Sequence, residues 1–321
     1  MSTKDAVQAL RKWLDSQIIG QPHLNDRLLI ALIADGHLLV EGAPGLAKTK
    51  AIKTLAEGIE GDFHRVQFTP DLLPSDVTGT DIYRPEQGTF EFQAGPIFHN
   101  LVLADEINRA PAKVQSALLE AMAERQISVG KSTYKLPELF LVMATQNPIE
   151  QEGTYPLPEA QLDRFLMHVE VDFPDAVAEK SILHLSRAEA SRSKPRATMT
   201  EPVSQQSLFA VREEALSIHM ADAVEDYMIQ LTDATRNPGN YGDDLQRWLD
   251  YGVSPRATIS LDRCARAHAW LNDKDYVSPE DVRAVLHDVF RHRLILSFEA
   301  EANGQTPDNI IDELIARVPV V

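Results

Sequence analysis

A single cysteine, Cys264, stands in 321 residues, so no intrachain disulfide can form and a disulfide-stapled secreted scaffold is excluded. The thiol sits among Ala265, Ala267 and Ala269 on a helical pattern, which predicts a small buried side chain in a protein of a reducing compartment. Long apolar runs are missing too. Nothing approaches the ~18 uncharged apolar residues that a membrane span needs. The opening Met1-Ser2-Thr3-Lys4-Asp5 starts no apolar leader segment, so a cytoplasmic protein without direct membrane insertion is expected. Basic side chains are scarce: 31 against 48 acidic ones give a net charge of -17, which repels phosphate backbones and predicts no nucleic-acid partner. The ten histidines are scattered, with no H-E-x-x-H and no Cys/His cluster, so a zinc enzyme is disfavoured, and His287 and His292 read as solvated helix residues. Asp71, Asp76 and Asp81 fail the calcium-loop pattern and suit caps and turns. Internal repeats, low-complexity tracts and long charge runs are absent.

What is present is ordinary globular composition, 44% hydrophobic and 25% charged, in a length that suits two domains. Up to about residue 172, short apolar runs alternate with helical patterns, as in a parallel sheet covered by helices. Strands are predicted at Leu38 to Glu41, Phe63 to Phe68, Leu101 to Asp105, Leu139 to Thr145 and Met167 to Val171, with helices over Lys48 to Gly58 and Pro111 to Arg125. From 173 to 321 the period near 3.6 dominates, in Glu179 to Ala190, Gln205 to Met220 and Ala221 to Arg236. Ser278-Pro279 reads as an N-cap with proline at the first helical position, and Ser191 to Arg196 as an exposed connector. Two pieces interrupt the first half. Pro74 to Phe98 carries the alternating Thr89-Phe90-Glu91-Phe92, and Arg125 to Pro137 alternates around Gly130-Lys131 like a hairpin.

The strand at Leu38 runs into Gly42-Ala43-Pro44-Gly45-Leu46-Ala47-Lys48-Thr49, and a helical pattern that includes Lys50 follows at once. Strand, glycine loop and helix in this order make a phosphate cradle: backbone N–H groups and a helix N-terminus converge on the phosphates, lysine reaches the β and γ oxygens, and the hydroxyl meets magnesium. Lys48 and Thr49 take those roles. Ala47 stands where the general pattern has glycine, and a methyl group there is expected only with a negative φ.

Leu101-Val102-Leu103-Ala104 reads as a buried strand that delivers Asp105-Glu106 to the C-terminal edge of the sheet, where ligands of parallel α/β sheets bind. Hydrolysis of a γ phosphate needs a held magnesium ion and a polarised in-line water. Asp105 suits the metal, through a water, and Glu106 suits the base. The next strand ends at Gln146-Asn147-Pro148, so Asn147 offers an amide to orient the water and sense the γ phosphate.

Four stretches together resemble the AAA+ superfamily, and in detail its MoxR branch, along nearly the whole chain. They are G-A-P-G-L-A-K-T from Gly42, in which alanine before the lysine is usual for the branch, L-V-L-A-D-E-I-N-R from Leu101, A-T-Q-N-P from Ala144 and E-A-Q-L-D-R-F from Glu159, joined by S-P-R-A from Ser254. The resemblance implies an α/β AAA+ core with a five-stranded parallel sheet over residues 1–172 and a small all-α lid over 173–321. It also implies ATP and Mg2+ as ligands, Arg164 as an arginine finger reaching a neighbouring subunit's γ phosphate, Arg256 as the sensor 2 arginine, and Ile19-Gly20-Gln21 as the lining of an adenine pocket. Pro74 to Phe98 and Arg125 to Pro137 resemble the family's helix 2 insert and pre-sensor 1 hairpin, facing a ring's axis, and Asn237 to Gly252 the extra element before sensor 2. A homo-oligomeric, hexameric ring follows from the resemblance. So does a chaperone-like action on a protein client, with a separate von Willebrand factor A domain protein as partner. Three other readings stand beside this one: a magnesium-chelatase-like motor subunit, a nucleic-acid motor, disfavoured by the acidic balance, and a non-hydrolysing switch, disfavoured by the intact Lys48, Asp105, Glu106, Asn147 and Arg164.

Overall fold

The computed structural model describes residues 3–148, 153–190, 199 and 201–320. The expected connector Ser191 to Arg196 lies outside them. In chain order the first part runs α1 (Thr3–Gln17), α2 (Pro22–Ile33), β1 (Leu38–Gly42), α3 (Lys48–Glu57), β2 (Phe63–Gln67), α4 (Pro74–Thr78), β3 (Gly79–Arg84), β4 (Thr89–Ala94), β5 (Leu101–Asp105), α5 (Ala112–Glu124), β6 (Gln126–Val129), β7 (Ser132–Lys135) and β8 (Leu141–Gln146). There follow α6 (Glu159–Leu162), β9 (Met167–Val171) and α7 (Ala176–Ala190).

The five expected strands form one sheet in the order β2-β5-β8-β1-β9. Its central strands are apolar on both faces because helices cover both: Leu39, Leu103 and Val142 are fully enclosed, as are Leu28 and Leu29 of α2 and Leu118 of α5. The parallel register sets Gln67 beside Asp105, Ala104 beside Ala144 and Glu41 beside Gln146. The polar residues that end these strands therefore share one rim of the sheet.

Both interruptions are hairpins. β3 pairs antiparallel with β4 behind the short α4, whose first turn is closed by Asp76 accepting from the Leu73 N–H, and β6 pairs with β7. Phe92 stacks on Tyr134 with ring centroids 3.8 Å apart, which fastens one hairpin to the other.

The chain divides into two units, Met1–Leu157 with Val169–Leu208, and Pro158–His168 with Phe209–Val321. The boundary differs from the expected one after residue 172. Val203 pairs with Ile59 and so keeps part of 173–208 with the first unit, while Pro158–His168 belongs with the second. That second unit holds the end of α8 (Gln205–Leu216), α9 (Asp222–Arg236), α10 (Asp243–Trp248), α11 (Pro255–Leu271), α12 (Pro279–Phe290), α13 (Phe298–Ala302) and α14 (Pro307–Arg317), with two small two-stranded ladders. Its core is built on Tyr227, Leu261, Leu286 and Phe290, and Cys264 is buried in it as expected.

His292 departs from expectation: it is buried, and its Nε2 lies 3.3 Å from the Phe165 carbonyl oxygen. Burial, together with neighbouring Arg293, pushes its pKa well below the ordinary value. The unfolded chain would take up this proton as pH falls through about 6.5 while the folded chain does not, so stability is lost on acidification. His292→Gln should flatten the fall in denaturation midpoint between about pH 7 and 5, a slope of up to about 1.4 kcal/mol per pH unit for one group. An unchanged pH profile would contradict a neutral, enclosed imidazole.

Candidate active site

The loop from Gly42 to Thr49 joins β1 to α3. Gly42 is required for space, because a Cβ there would meet the Val171 carbonyl oxygen at 2.6 Å, and Gly45 supplies a φ of 86°. Ala47 corrects an expectation. It takes φ 60° and ψ 14°, the left-handed region, directly before the first residue of α3. For a residue with a Cβ this conformation costs roughly 1–2 kcal/mol, a strain stored where the backbone must turn its N–H groups inward. Lys48 Nζ donates to the carbonyl oxygens of Gly42 and of Gln146, the latter at 3.3 Å. Partial burial lowers the Lys48 pKa, against the opposing pull of Asp105, Glu106 and Glu41.

A cavity of about 410 Å³ opens at this rim, lined by Pro44 to Lys50 together with Arg65, Asp105, Glu106, Thr145, Gln146 and Asn147. Lys48, Thr49, Asp105, Glu106 and Asn147, expected to act together, are thus brought to one place. Asp105 is anchored on both oxygens. Its Oδ1 accepts from the Thr145 hydroxyl at 2.6 Å, and its Oδ2 accepts from Arg65 Nη2 at 2.7 Å and Nε at 3.0 Å. Glu106 has a φ of 56°, a second strained residue in the same cleft, and its N–H donates to Thr145 Oγ1 at 2.9 Å. Its Oε2 accepts from Gln67 Nε2 at 2.8 Å and pairs with Arg109 Nε at 3.2 Å.

Arg65, Gln67, Thr145 and Arg109 were not among the expected site residues. Arg109 and Thr145 lie inside stretches whose pattern was noticed, beside the acidic pair and the amide. Arg65 and Gln67 carry no such signal, because only the pairing of β2 with β5 brings them there.

A second cavity, of about 220 Å³, is lined by Gln17, Ile18, Ile19, Gln21, Leu46, Ala47, Lys50, Pro174, Ile182 and Leu185 among others. Its apolar walls suit a flat heterocycle. Ile19 and Gln21 are both in its lining, and Gln21 Nε2 is fixed by the Asp172 carbonyl oxygen at 2.9 Å. Gly20 does not line it. It takes φ 82°, and a Cβ there would meet Pro174 Cβ at 2.9 Å and Ala178 Cβ at 3.0 Å, so the glycine lets α7 approach, and α7 contributes Ile182 and Leu185.

Comparison with known proteins gives this geometry its kinship. Residues 37–167 match the model of the ATPase family associated with various cellular activities (AAA), and residues 246–314 match the AAA lid domain. The chain is 45% identical to Chaperone MoxR1 of Mycobacterium tuberculosis over 302 residues, which is 94% of this chain and 78% of that one. It is 35% identical to Protein MoxR of Paracoccus denitrificans, over 96% of this chain and 94% of the other. This chain belongs to the MoxR family of AAA+ ATPases. A crystal structure of a Cytophaga hutchinsonii protein described as a candidate ATPase superposes on this MoxR-family chain with a TM-score of 0.92 and 44% identity, covering 99% of this chain and 96% of that one.

In this MoxR-family ATPase Arg164 and Arg256 both lie in the second unit, whereas Lys48, Thr49, Asp105, Glu106 and Asn147 lie in the first. Arg164 is half-buried just beyond α6, and Arg256 is exposed in the first turn of α11. They share one anchor. Asp163, the neighbour of Arg164, accepts from Ser254 Oγ at 2.9 and 3.0 Å and from Arg293 Nε at 2.8 Å. Ser254 Oγ in turn accepts from the Arg256 N–H and so caps α11. Arg293 is enclosed and also donates to the carbonyl oxygens of Phe165 and Leu166, so truncating Asp163 would strand a buried cation at a cost of about 3–5 kcal/mol.

Magnesium fits the donor set of the first cleft. The Asp105 carboxylate and the Thr49 hydroxyl offer hard oxygen donors on the lining of this cavity, and such donors suit Mg2+, which is commonly held by one or two carboxylates plus phosphate and water. Among the described residues no group of three His, Cys, Asp or Glu side chains is placed to hold a metal without such a phosphate, and no helix is long and apolar enough to cross a membrane.

Proposed function

We propose that this ATPase binds Mg-ATP in the cleft between Lys48 and Asp105, hydrolyses it between subunits of a hexameric ring, and spends the cycle on chaperone-like remodelling of a protein client. The observation that carries the reading is the gathering of Lys48, Thr49, Asp105, Glu106 and Asn147 around one cavity at the C-terminal rim of the sheet. The backbone from Gly42 to Lys50 holds the phosphates, and the Lys48 ammonium compensates charge on the β and γ oxygens. The second cavity takes the adenine against Ile19 and Gln21. Magnesium, held by Thr49 and through water by Asp105, would supply charge neutralisation across the β and γ phosphates. Glu106 accepts the proton of the attacking water, and Asn147 orients that water and senses the γ phosphate. Arg164 reaches the γ phosphate of the neighbouring subunit, and Arg256 closes over the phosphates from the lid.

Loss of the γ phosphate removes the anion that Arg164 holds, and the interface can then open. The two hairpins, fastened by the Phe92–Tyr134 stack, offer the client-facing surface. Chaperone MoxR1 among the relatives supports the chaperone role, and a separate protein with a von Willebrand factor A domain is the partner proposed. Affinity purification of Glu106→Gln with ATP from the native cell tests this. One protein of that domain type and a client should be enriched over an ADP control, while equal recovery with ATP and ADP would contradict the reading.

A further inference from the structure

A nucleotide laid across the two cavities of the first unit has to cross the wall between them. Gly45, Leu46, Ala47 and Lys50 line both cavities and so form that wall. Only Lys50 among them carries a polar side chain. With adenine in the apolar cavity and the β and γ phosphates in the polar one, the groups that lie over the wall are the ribose and the α phosphate.

Folding gives little reason for a lysine at this position. Lys50 is the third residue of α3, whose first turn also holds Lys48 and contains no acidic side chain. A cation there faces the positive end of the helix dipole with a second ammonium two residues away, so helix formation does not favour it. An anion held over the turn does. Lys48 is engaged with the β and γ oxygens in the reading above. Lys50 is half-buried, and its stem can cover apolar wall while its ammonium extends beyond it.

We infer that the Lys50 ammonium binds the α phosphate, and that Lys50 thereby sets how firmly the chain holds every adenine nucleotide, the product included. The inference rests on the placing of adenine and phosphates in these two cavities. The α phosphate keeps its bonds and its charge when the γ phosphate is cleaved, so the contact is equal before and after the reaction. It is uniform binding, which favours ATP and ADP alike. A lysine that only closed the apolar wall would act on the base instead, and one that reached the γ phosphate would act on ATP alone.

The test is competition by adenosine, AMP, ADP and a non-hydrolysable ATP analogue against a fluorescent ATP analogue, on the full chain with Mg2+. In Lys50→Gln the three phosphate-bearing competitors should each bind about five- to tenfold more weakly, a loss of about 1–1.4 kcal/mol, while adenosine binds as before. Lys50→Arg, which keeps the charge, should stay within about twofold of the parent for all four. In a turnover assay of Lys50→Gln, KM for ATP and the inhibition constant of ADP should rise together. A loss confined to the ATP analogue, an equal loss for adenosine, no loss, or a loss as large in Lys50→Arg would each overturn the inference. The parent chain offers a check that needs no variant: AMP should bind at least about fivefold more tightly than adenosine, and equal affinities would overturn the contact. If the parent binds none of the four ligands, the nucleotide reading itself fails. If it binds them and Lys50→Gln matches it, the role of Lys50 fails alone.

Discussion

Glu106→Gln should bind ATP as tightly as the parent chain and turn it over about 10² to 10⁴ times more slowly, the range spanned by loss of a positioned general base. The two side chains have the same shape, and the amide oxygen can still accept from Gln67 Nε2, so the strained backbone at φ 56° and the bonds to Thr145 have no reason to change. What disappears is the capacity to take a proton from water. Equilibrium titration with a fluorescent ATP analogue and a phosphate-release assay check the two halves separately. Turnover within a factor of a few of the parent would move the base elsewhere. A parallel loss of binding would show that Glu106 holds nucleotide instead.

Arg164→Ala should leave nucleotide affinity of the isolated chain intact, because the finger serves another subunit's phosphate, and depress hydrolysis by about 10³ to 10⁵, because the guanidinium meets charge that develops on the transferred phosphoryl group. Arg164 lies in a different unit of the chain from Lys48, Asp105 and Glu106, as a residue serving another subunit's phosphate can. Mixing decides its direction of action. An Arg164→Ala protomer keeps its own cleft and a Glu106→Gln protomer keeps its own finger, so mixed assemblies contain interfaces where intact parts meet. Activity recovered on mixing two inactive variants is the expected result. No recovery in assemblies shown to contain both chains would contradict a finger that works in trans.

Much of the core could be read from the chain because its signals are local. An apolar run such as Leu101 to Ala104 that stops at two carboxylates states both that a strand is buried and where it ends. Gly42 to Thr49 between a strand and a helix states where phosphates can be held. The resemblance then added Arg164, Arg256 and the lid, which no spacing could have assigned. What escaped depends on neighbours distant in sequence. Arg65 and Gln67 look like the polar half of an edge strand, and their place beside Asp105 and Glu106 follows only from the pairing of β2 with β5. His292, flanked by two arginines, looked solvated, yet Arg293 turns inward onto Asp163 and closes that part of the unit over the imidazole. Ala47 was expected at negative φ, but the turn into α3 takes the left-handed conformation and tolerates its strain. The two compact units do not divide at residue 172, because Pro158–His168 groups with the later residues, an excursion that no change of period marks.

The central claim is that one triphosphate is gripped at the sheet rim by Lys48, Asp105, Glu106 and Asn147 together. An experimental structure of Glu106→Gln with Mg-ATP tests it most directly. The account predicts the γ phosphate within hydrogen-bonding distance of Lys48 Nζ, with the metal beside Thr49 and Asp105 and the water between Asn147 and residue 106. A triphosphate bound away from these side chains, or contacting Lys48 while the two acids face elsewhere, would contradict it.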